Sequence, residues 1–222
     1  MIKTVIFDMD GVIVDTEPVH HYAYHQHFKQ LGIDISDEMY ATFTGNSTKN
    51  VYQRIKDTFG LPHEVPTLVQ GKRDLFNQAF DTKEDLDLLA GVRNLIEDLH
   101  QNNIQLILAT SSAKVTIHRI FTRFELFPYF SHIVSGEDFP KSKPDPSIFI
   151  HAASLSDAPK ENCVVIEDST NGIQAAKSAG LYCFGYDSEH SKLQDLSLAD
   201  NIIKHFDEVN YQELVNRFQG KF

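Results

Sequence analysis

Five short runs of consecutive apolar residues divide the chain, and each has the length of a buried β-strand. They span residues 4–7, 105–109, 133–135, 163–166 and 182–186. Apolar residues on consecutive rather than alternating positions are typical of strands that are covered on both faces. These runs therefore predict the strands of a parallel sheet.

Amphipathic segments alternate with these strands from residue 91 onward. They span residues 92–101, 114–124, 147–153 and 173–179, and a further one at 210–218 closes the chain. Strands that alternate with helices predict right-handed crossovers and an open parallel sheet with helices on both faces. The fold class that we expect is α/β, with a Rossmann-like core.

The stretch from about Thr16 to Lys83, between the first and second predicted strands, departs from this alternation. It contains no strand candidate, and its apolar residues recur at helical spacing in four pieces. Thr16 is placed to cap the first of these helices. We therefore expect residues 16–83 to form an inserted α-helical cap domain, and residues 1–15 and 84–222 to form the catalytic core.

Composition and charge narrow the range of partners. The formal net charge is −11, which argues against nucleic acid and anionic membranes, since both bind basic surfaces. No apolar run approaches the roughly 20 residues that span a bilayer, and the N-terminal run is too short and too acidic for a secretory signal. We expect a soluble, cytoplasmic monomer that acts on a small metabolite. Its two cysteines, Cys163 and Cys183, are predicted to be buried thiols without redox chemistry.

Chemically active side chains cluster where the predicted strands end. In an open parallel sheet the functional site lies at the carboxyl ends of the strands. The residues near those ends are acids, hydroxyls and one lysine: Asp8 and Asp10, then Thr110, Ser111 and Ser112, then Lys143, then Glu167 and Asp168.

Four acids at one edge would repel one another without a cation, and carboxylate oxygens are ligands that Mg²⁺ prefers. With Mg²⁺ and a lysine present, the site suits a phosphoryl group. One carboxylate of the Asp8–Asp10 pair can attack phosphorus while the other gives a proton to the leaving oxygen. Thr110 can hold phosphate oxygens, and Lys143 can neutralise charge.

The order of these motifs resembles that of the haloacid dehalogenase superfamily. The motifs are Asp-x-Asp-Gly at residues 8–11, a strand that ends in Thr110, Lys143-Pro144, and Glu167-Asp168-Ser169. The similarity covers nearly the whole chain and is greatest to the β-phosphoglucomutase-like branch, which has a helical cap after the first motif.

This resemblance assigns roles to the residues. It implies that Asp8 is the nucleophile and Asp10 the acid and base, and that Thr110 and Lys143 bind the phosphoryl group. It also implies that Mg²⁺ is held by Asp8, by the backbone carbonyl of Asp10 and by an acid of the Glu167–Asp168 pair, without deciding which. Dehalogenase members lack the second aspartate and need no metal, so Asp10 argues against that chemistry here.

The same resemblance leaves open whether the enzyme is a phosphatase or a mutase. The mutase cap holds a second phosphate with Gly-x-Ser-Arg, but this chain reads Gly45-Asn46-Ser47-Thr48. Lys49 could replace the missing arginine only in part, since it lacks the bidentate fork. We therefore favour a phosphatase of small phosphate monoesters, sugar phosphates above all, with β-phosphoglucomutase as the alternative and a non-catalytic phosphate-binding protein as the third. The expected substrate contacts are Thr16, His20, Gly45, Ser47, Lys49, Lys72, Ser111 and Ser112.

Overall fold

A six-stranded parallel sheet forms the centre of the protein in our computed structural model, which describes residues 1–188 and 191–219. The strands lie in the order β3-β2-β1-β4-β5-β6, and every neighbouring pair is parallel. Their bounds are β1 Thr4–Phe7, β2 Gln105–Thr110, β3 His132–Ser135, β4 Cys163–Glu167, β5 Tyr182–Tyr186 and β6 Asn201–Ile203. This confirms the predicted α/β class and adds one strand, β6.

The side chains of each strand alternate between the two faces of the sheet, and both faces are covered. In β1, Val5 and Phe7 belong to one apolar cluster, whereas Ile6 belongs to the other. Buried residues of helices α5 Val92–Gln101, α6 Lys114–Arg123 and α9 Tyr211–Phe218 complete the first cluster, and those of α7 Ser147–Ser154 and α8 Thr170–Ser178 complete the second. This double cover explains why the strands read as continuous apolar runs.

Four helices lie between β1 and α5, within residues 16–83, as the helical spacing predicts. They are α1 Glu17–Leu31, α2 Asp37–Ala41, α3 Thr48–Phe59 and α4 Val65–Thr82. We call residues 16–83 the helical insertion. It has an apolar cluster of its own, built around Tyr24, Phe28, Tyr52 and Ile55. Within the described residues, no helix combines the length and the apolar character that crossing a bilayer requires.

Candidate active site

The polar edge of the sheet is centred on β1. Asp8 directly follows β1, Thr110 ends β2 and Glu167 ends β4. Because β1 lies between β2 and β4, the side chains of Thr110 and Glu167 flank Asp8 from both sides. The arrangement places the site at the carboxyl edge, where parallel sheets bind ligands.

Lys143 is the buried cation of this edge. Its side chain is fully buried, and its Nζ donates to Asp8 Oδ1 at 2.5 Å, to Glu167 Oε1 at 2.7 Å and to the carbonyl of Ala109 at 3.2 Å. The ammonium also lies 4.7 Å from the ring centre of Phe149. Burial alone would lower the pKa of Lys143, but the two carboxylates outweigh burial and hold it above its ordinary value. Lys143 is therefore charged and joins two acids that would otherwise repel each other.

Excess negative charge remains around Asp8. Burial raises the pKa of Asp8 to about 7, and Glu167 and Asp10 act in the same direction against the opposing effect of Lys143. The pKa of Asp168 is also raised well above its ordinary value by burial, then by Glu167 and Asp8. The protein thus holds a group of buried acids that a further cation would stabilise.

Glu167 and Asp168 are adjacent in sequence but have different surroundings. Glu167 Oε1 accepts from Lys143, and Oε2 accepts from the backbone N–H and the hydroxyl of Ser169 at 2.8 and 3.0 Å. Both oxygens of Glu167 are therefore engaged within the protein. Asp168, by contrast, lines the cavity at the sheet edge together with Asp8 and Asp10.

Gly11 makes the close approach of Asp168 to the first motif possible. Its φ is 83°, a region that residues with a side chain rarely adopt. A Cβ at this position would clash with the carboxylate of Asp168. The glycine of the Asp-x-Asp-Gly motif therefore has a packing role as well as a conformational one.

Asp10 is surrounded by hydrogen-bond donors. Ser112 Oγ donates to Oδ2 at 2.5 Å, whereas the Thr16 hydroxyl and His20 Nε2, the latter at 3.3 Å, contact Oδ1. Burial favours a higher pKa for Asp10, but the hydrogen bonds from His20, Ser112 and Thr16 and the charge interaction with His20 hold it below its ordinary value. Thr16 occupies the N-cap position of α1, as predicted, but its hydroxyl bonds to Asp10 rather than to a backbone N–H of the helix.

His20 connects Asp10 to the helical insertion. Lys72 Nζ lies 2.6 Å from His20 Nδ1, and Lys72 is only 3% exposed. An ammonium can only donate, so Nδ1 of His20 accepts and Nε2–H donates to Asp10. Burial lowers the pKa of Lys72 to about 7, and burial followed by the charge of Lys72 lowers the pKa of His20. A hydrogen-bonded path thus runs from α4 through α1 to the core acid.

The residues after β2 divide their contacts between the core and the insertion. Thr110 lines the cavity, and its hydroxyl accepts from the backbone N–H of Ser112 at 3.1 Å. Ser112 lies on Asp10, as described above. Ser111 donates instead to the backbone carbonyl of Gly45 at 2.7 Å. Thr110, Ser111 and Ser112 therefore all border the cavity, and Ser111 also connects the core to the insertion.

One cavity lies between the sheet edge and the insertion. Nine of the fourteen residues that the sequence nominates line this cavity. Its nominated lining residues are Asp8, Asp10, His20, Gly45, Lys72, Thr110, Ser111, Ser112 and Asp168.

Three further nominated residues lie close to the cavity without lining it. Thr16, Lys143 and Glu167 lie behind its wall, where they contact Asp10, Asp8 and Ser169.

Ser47 and Lys49 are the nominated residues that lie away from the cavity. The Ser47 side chain accepts from the backbone N–H of Asn50 at 3.3 Å and so caps α3. Lys49 is exposed and is not part of the cavity wall. The structure therefore gives neither side chain a contact with the cavity, and their role in substrate binding stays a prediction.

Several cavity residues were not found by sequence reasoning. Arg73 lines the cavity and pairs with Glu137 of the core, Nη2 to Oε1, at 2.9 Å. Glu17 also lines it and accepts from Tyr40 Oη at 2.9 Å. Arg73 directly follows Lys72, which the sequence nominates, so its position alone could have suggested a place near the cavity. The direction of a helical side chain, however, depends on how the helix packs.

Comparison with known proteins identifies the family. The family model described as haloacid dehalogenase-like hydrolase matches residues 5–186. The β-phosphoglucomutase of Bacillus subtilis is 33% identical over 188 residues, which cover 82% of each chain. The phosphorylated carbohydrates phosphatase of Thermotoga maritima is 30% identical over 179 residues, which cover 81% of this chain and 82% of the relative.

Solved structures agree with this similarity. CbbY from Rhodobacter sphaeroides, determined as a variant in complex with xylulose-(1,5)bisphosphate, superposes with a TM-score of 0.82 at 27% identity and covers 94% of this chain and 96% of its own. The β-phosphoglucomutase of Clostridium difficile gives a TM-score of 0.86 at 25% identity, with 98% and 97% covered. With the sheet, the four motifs and these relatives taken together, the chain belongs to the haloacid dehalogenase-like hydrolases, in which its relatives are named as phosphatases and phosphoglucomutases.

Proposed function

We propose that the protein is a Mg²⁺-dependent phosphatase that hydrolyses small phosphate monoesters, chiefly sugar phosphates, through an aspartyl-phosphate on Asp8. The observation that carries this proposal is the placement of Asp8. It lies against the buried ammonium of Lys143, at a cavity that Asp10, Thr110 and Asp168 also line. A nucleophile, a proton carrier and groups for a phosphate are thereby within one site.

The first step transfers the phosphoryl group to the enzyme. A carboxylate oxygen of Asp8 forms a bond to phosphorus while the bond from phosphorus to the leaving alcohol oxygen breaks. Asp10 gives that oxygen a proton, which Asp10 must take up as the substrate binds, because its pKa in the free protein lies below the ordinary value. Lys143 and the Thr110 hydroxyl stabilise the charge on the transferred group. The hydrogen bonds from Thr16, His20 and Ser112 fix the direction of the Asp10 carboxylate.

The second step returns Asp8 to its carboxylate form. Asp10 takes a proton from a water molecule whose oxygen attacks phosphorus, and the bond between phosphorus and Asp8 breaks. The helical insertion acts as a cap that excludes bulk water during the first step. Support for this role comes from the cavity wall, which is built from both the core and the insertion.

The acids of the site fit a magnesium ion. Among residues 1–188 and 191–219, no three His, Cys, Asp or Glu side chains are grouped so that they could hold a metal by themselves. Mg²⁺, however, often takes only one or two protein carboxylates and keeps water and phosphate oxygens. Asp8 and Asp168, with the backbone carbonyl of Asp10, would hold the ion, and Glu167 would not. When bound, the ion neutralises charge on the phosphoryl oxygens.

Sugar phosphates are the substrate class that the relatives favour. The Thermotoga maritima relative is named as a phosphatase of phosphorylated carbohydrates, and the CbbY structure contains a sugar bisphosphate. The cavity here offers polar side chains from the insertion, including Glu17, Asn46 and Thr48, which suit sugar hydroxyls. We also propose that the protein acts in the cytoplasm and that it is a monomer, the latter because one chain supplies all the residues invoked.

β-Phosphoglucomutase activity is the second candidate, and the Bacillus subtilis relative favours it. A mutase must hold a second phosphate on the cap side of the cavity. In the described residues, both cations of the cavity wall have partners, since Lys72 contacts His20 and Arg73 pairs with Glu137. This pairing favours the phosphatase, which needs one phosphate site.

One assay separates the two activities. Free phosphate and glucose 6-phosphate are measured together over a panel of sugar phosphates with Mg²⁺, including β-glucose 1-phosphate with a bisphosphate primer. We expect phosphate release that disappears with EDTA and in Asp8→Asn. Glucose 6-phosphate without stoichiometric phosphate would establish the mutase instead, and substantial turnover by Asp8→Asn would contradict the mechanism.

A further inference from the structure

Lys143 is carried by a loop rather than by a helix or strand. The loop runs between a 3₁₀ turn at Gly136–Asp138 and α7. Within it, the backbone N–H of Asp145 bonds to the carbonyl of Ser142 at 3.0 Å. The ammonium of Lys143 must nevertheless reach two buried carboxylates at 2.5 and 2.7 Å. Its position therefore depends on what holds this loop in place.

The residue before Lys143 is bound by the helical insertion. Ser142 Oγ lies 2.7 Å from Asn50 Nδ2 and 3.0 Å from Asn46 Oδ1. An amide nitrogen donates and an amide oxygen accepts, so the Ser142 hydroxyl accepts from Asn50 and donates to Asn46. Asn46 in turn donates from Nδ2 to the carbonyl of Thr42 at 3.2 Å. The four groups form a chain of hydrogen bonds with one direction, in which each bond strengthens the next.

The same part of the insertion is anchored to other loops of the core. We call residues 41–50 the docking segment. Ser111 donates to the carbonyl of Gly45 at 2.7 Å, Asn171 to that of Thr44 at 2.9 Å, and Gln194 to that of Ala41 at 3.0 Å. The docking segment is therefore fixed to the core independently of Ser142, and can serve as a support for the Lys143 loop.

We infer that Ser142 is a positioning residue, through which Asn46 and Asn50 of the docking segment hold the Lys143 loop in its working position. This inference rests on the proposed function, since Lys143 is taken to contact the phosphoryl group. It means that the catalytic lysine is fully placed only when the docking segment lies on the core. Ser142 itself touches no reacting atom.

Kinetics of single and double variants test the hydrogen-bonded chain. We expect Ser142→Ala and Asn50→Ala each to lower kcat about tenfold, which is the effect of losing about one hydrogen bond in the transition state. The double variant should be no worse than either single one, and Ser142→Thr, which keeps the hydroxyl, should recover most of the activity. Ser154→Ala is the matched control, because the Ser154 hydroxyl is exposed and bonds within α7. Independent, multiplying effects of Ser142→Ala and Asn50→Ala would overturn the inference.

A binding measurement separates positioning of Lys143 from simple holding of the insertion. The affinity for inorganic phosphate with Mg²⁺ is measured by calorimetry for the wild type, Ser142→Ala, Lys143→Met and the double variant. We expect Ser142→Ala to weaken binding severalfold with Lys143 present and to have no effect in the Lys143→Met background. An equal loss in both backgrounds would mean that Ser142 acts without Lys143, and would overturn the inference. If the Lys143 variants do not fold, the kinetic comparison of Ser142→Ala, Asn50→Ala and their double variant tests the inference instead.

A second contact between insertion and core provides a comparison. Asp81 of α4 pairs with Arg119 of α6, away from the cavity wall. Asp81→Asn should change kcat less than twofold, as expected for a partly exposed ion pair. If Asp81→Asn lowered kcat as much as Ser142→Ala does, any contact between the insertion and the core would affect turnover equally, and the inference would be overturned. Absence of wild-type turnover would contradict the proposed function alone, because the phosphate-binding cycle does not depend on turnover.

Discussion

The Nζ of Lys143 lies 2.7 Å from Oε1 of Glu167, and both side chains are almost completely inaccessible to solvent. Glu167 thus pairs with the lysine outside the cavity lining, whereas its neighbour Asp168 lines the cavity. The two acids are adjacent in sequence but differ in surroundings, and the proposed function gives Glu167 a structural role and Asp168 a role toward the cation. Substitution of these two acids should therefore change the stability of the metal-free protein to different extents.

Glu167→Gln should destabilise the protein, and Asp168→Asn should not. Loss of one partner of a buried ion pair lowers the free energy of unfolding by about 3 kcal/mol. Asp168→Asn removes a carboxylate that Glu167 and Asp8 repel, so its metal-free stability should equal or exceed that of the wild type. Urea denaturation in EDTA measures both effects, and destabilisation by Asp168→Asn to the same extent as by Glu167→Gln would contradict the assignment.

Added Mg²⁺ should stabilise the wild type but not Asp168→Asn. A ligand that binds only the folded state raises the free energy of unfolding as its concentration exceeds Kd. The same denaturation series repeated with Mg²⁺ provides the measurement. A stabilisation that persists in Asp168→Asn would place the ion elsewhere.

Gly11→Ala should reduce both stability and activity. The positive φ costs an alanine about 1–2 kcal/mol, and the added Cβ also clashes with Asp168. Gly60→Ala is the matched control, because Gly60 has a φ of 65° but no atom within 4 Å of an added Cβ. Denaturation of both variants should show a larger loss for Gly11→Ala, and only Gly11→Ala should lower turnover. Equal losses of stability would mean that Asp168 moves aside without effect.

Lys72→Met should lower kcat more than Arg73→Ala does. Lys72 is buried and bonds to His20, which contacts Asp10, so its loss alters the environment of the proton carrier. The pair of Arg73 with Glu137 is partly exposed, and such pairs contribute up to about 1 kcal/mol. We expect a fall of about 10–100-fold for Lys72→Met and of less than about fivefold for Arg73→Ala. Steady-state kinetics on the best sugar phosphate decides, and the reverse order would contradict the assignment.

Acidification should destabilise the insertion through His27. Burial lowers the pKa of His27 below its ordinary value of 6.5, and its Nδ1 lies 2.5 Å from the hydroxyl of Tyr52. The unfolded chain therefore takes up a proton more readily than the folded one, so this contribution to stability is complete above pH 6.5 and is lost as the pH falls below it. His27→Gln should lose less stability than the wild type between pH 7.5 and 5, as measured by urea denaturation. Equal losses would contradict the role of His27, since the other titrating groups are shared.

The sheet could be predicted from the sequence because its strands are buried on both faces. β1 and β5 begin and end where the apolar runs do. β6 was missed because it has three residues at the edge of the sheet, of which Asn201 is half-buried and Ile202 exposed. A strand this short that is covered on one side only contains no run of apolar residues that could be detected in the sequence.

The site residues at the strand ends could be predicted for a similar reason, whereas the cavity contacts of the insertion could not. Asp8, Thr110 and Glu167 are fixed by the ends of their strands, so their order along the chain determines their positions. In the insertion the contacts depend on how each helix is rotated. Lys49 therefore lies away from the cavity and Arg73 lies at it, although both are basic residues of the same insertion.

The docking segment is held by its main chain at three of its contacts with the core. The carbonyls of Ala41, Thr44 and Gly45 accept from core side chains, and any amino acid supplies a carbonyl. Side chains such as those of Thr44 and Thr48, which line the cavity, can therefore be exchanged while these three contacts persist. Such an arrangement lets evolution change which substrate is accepted without rebuilding the closure of the site.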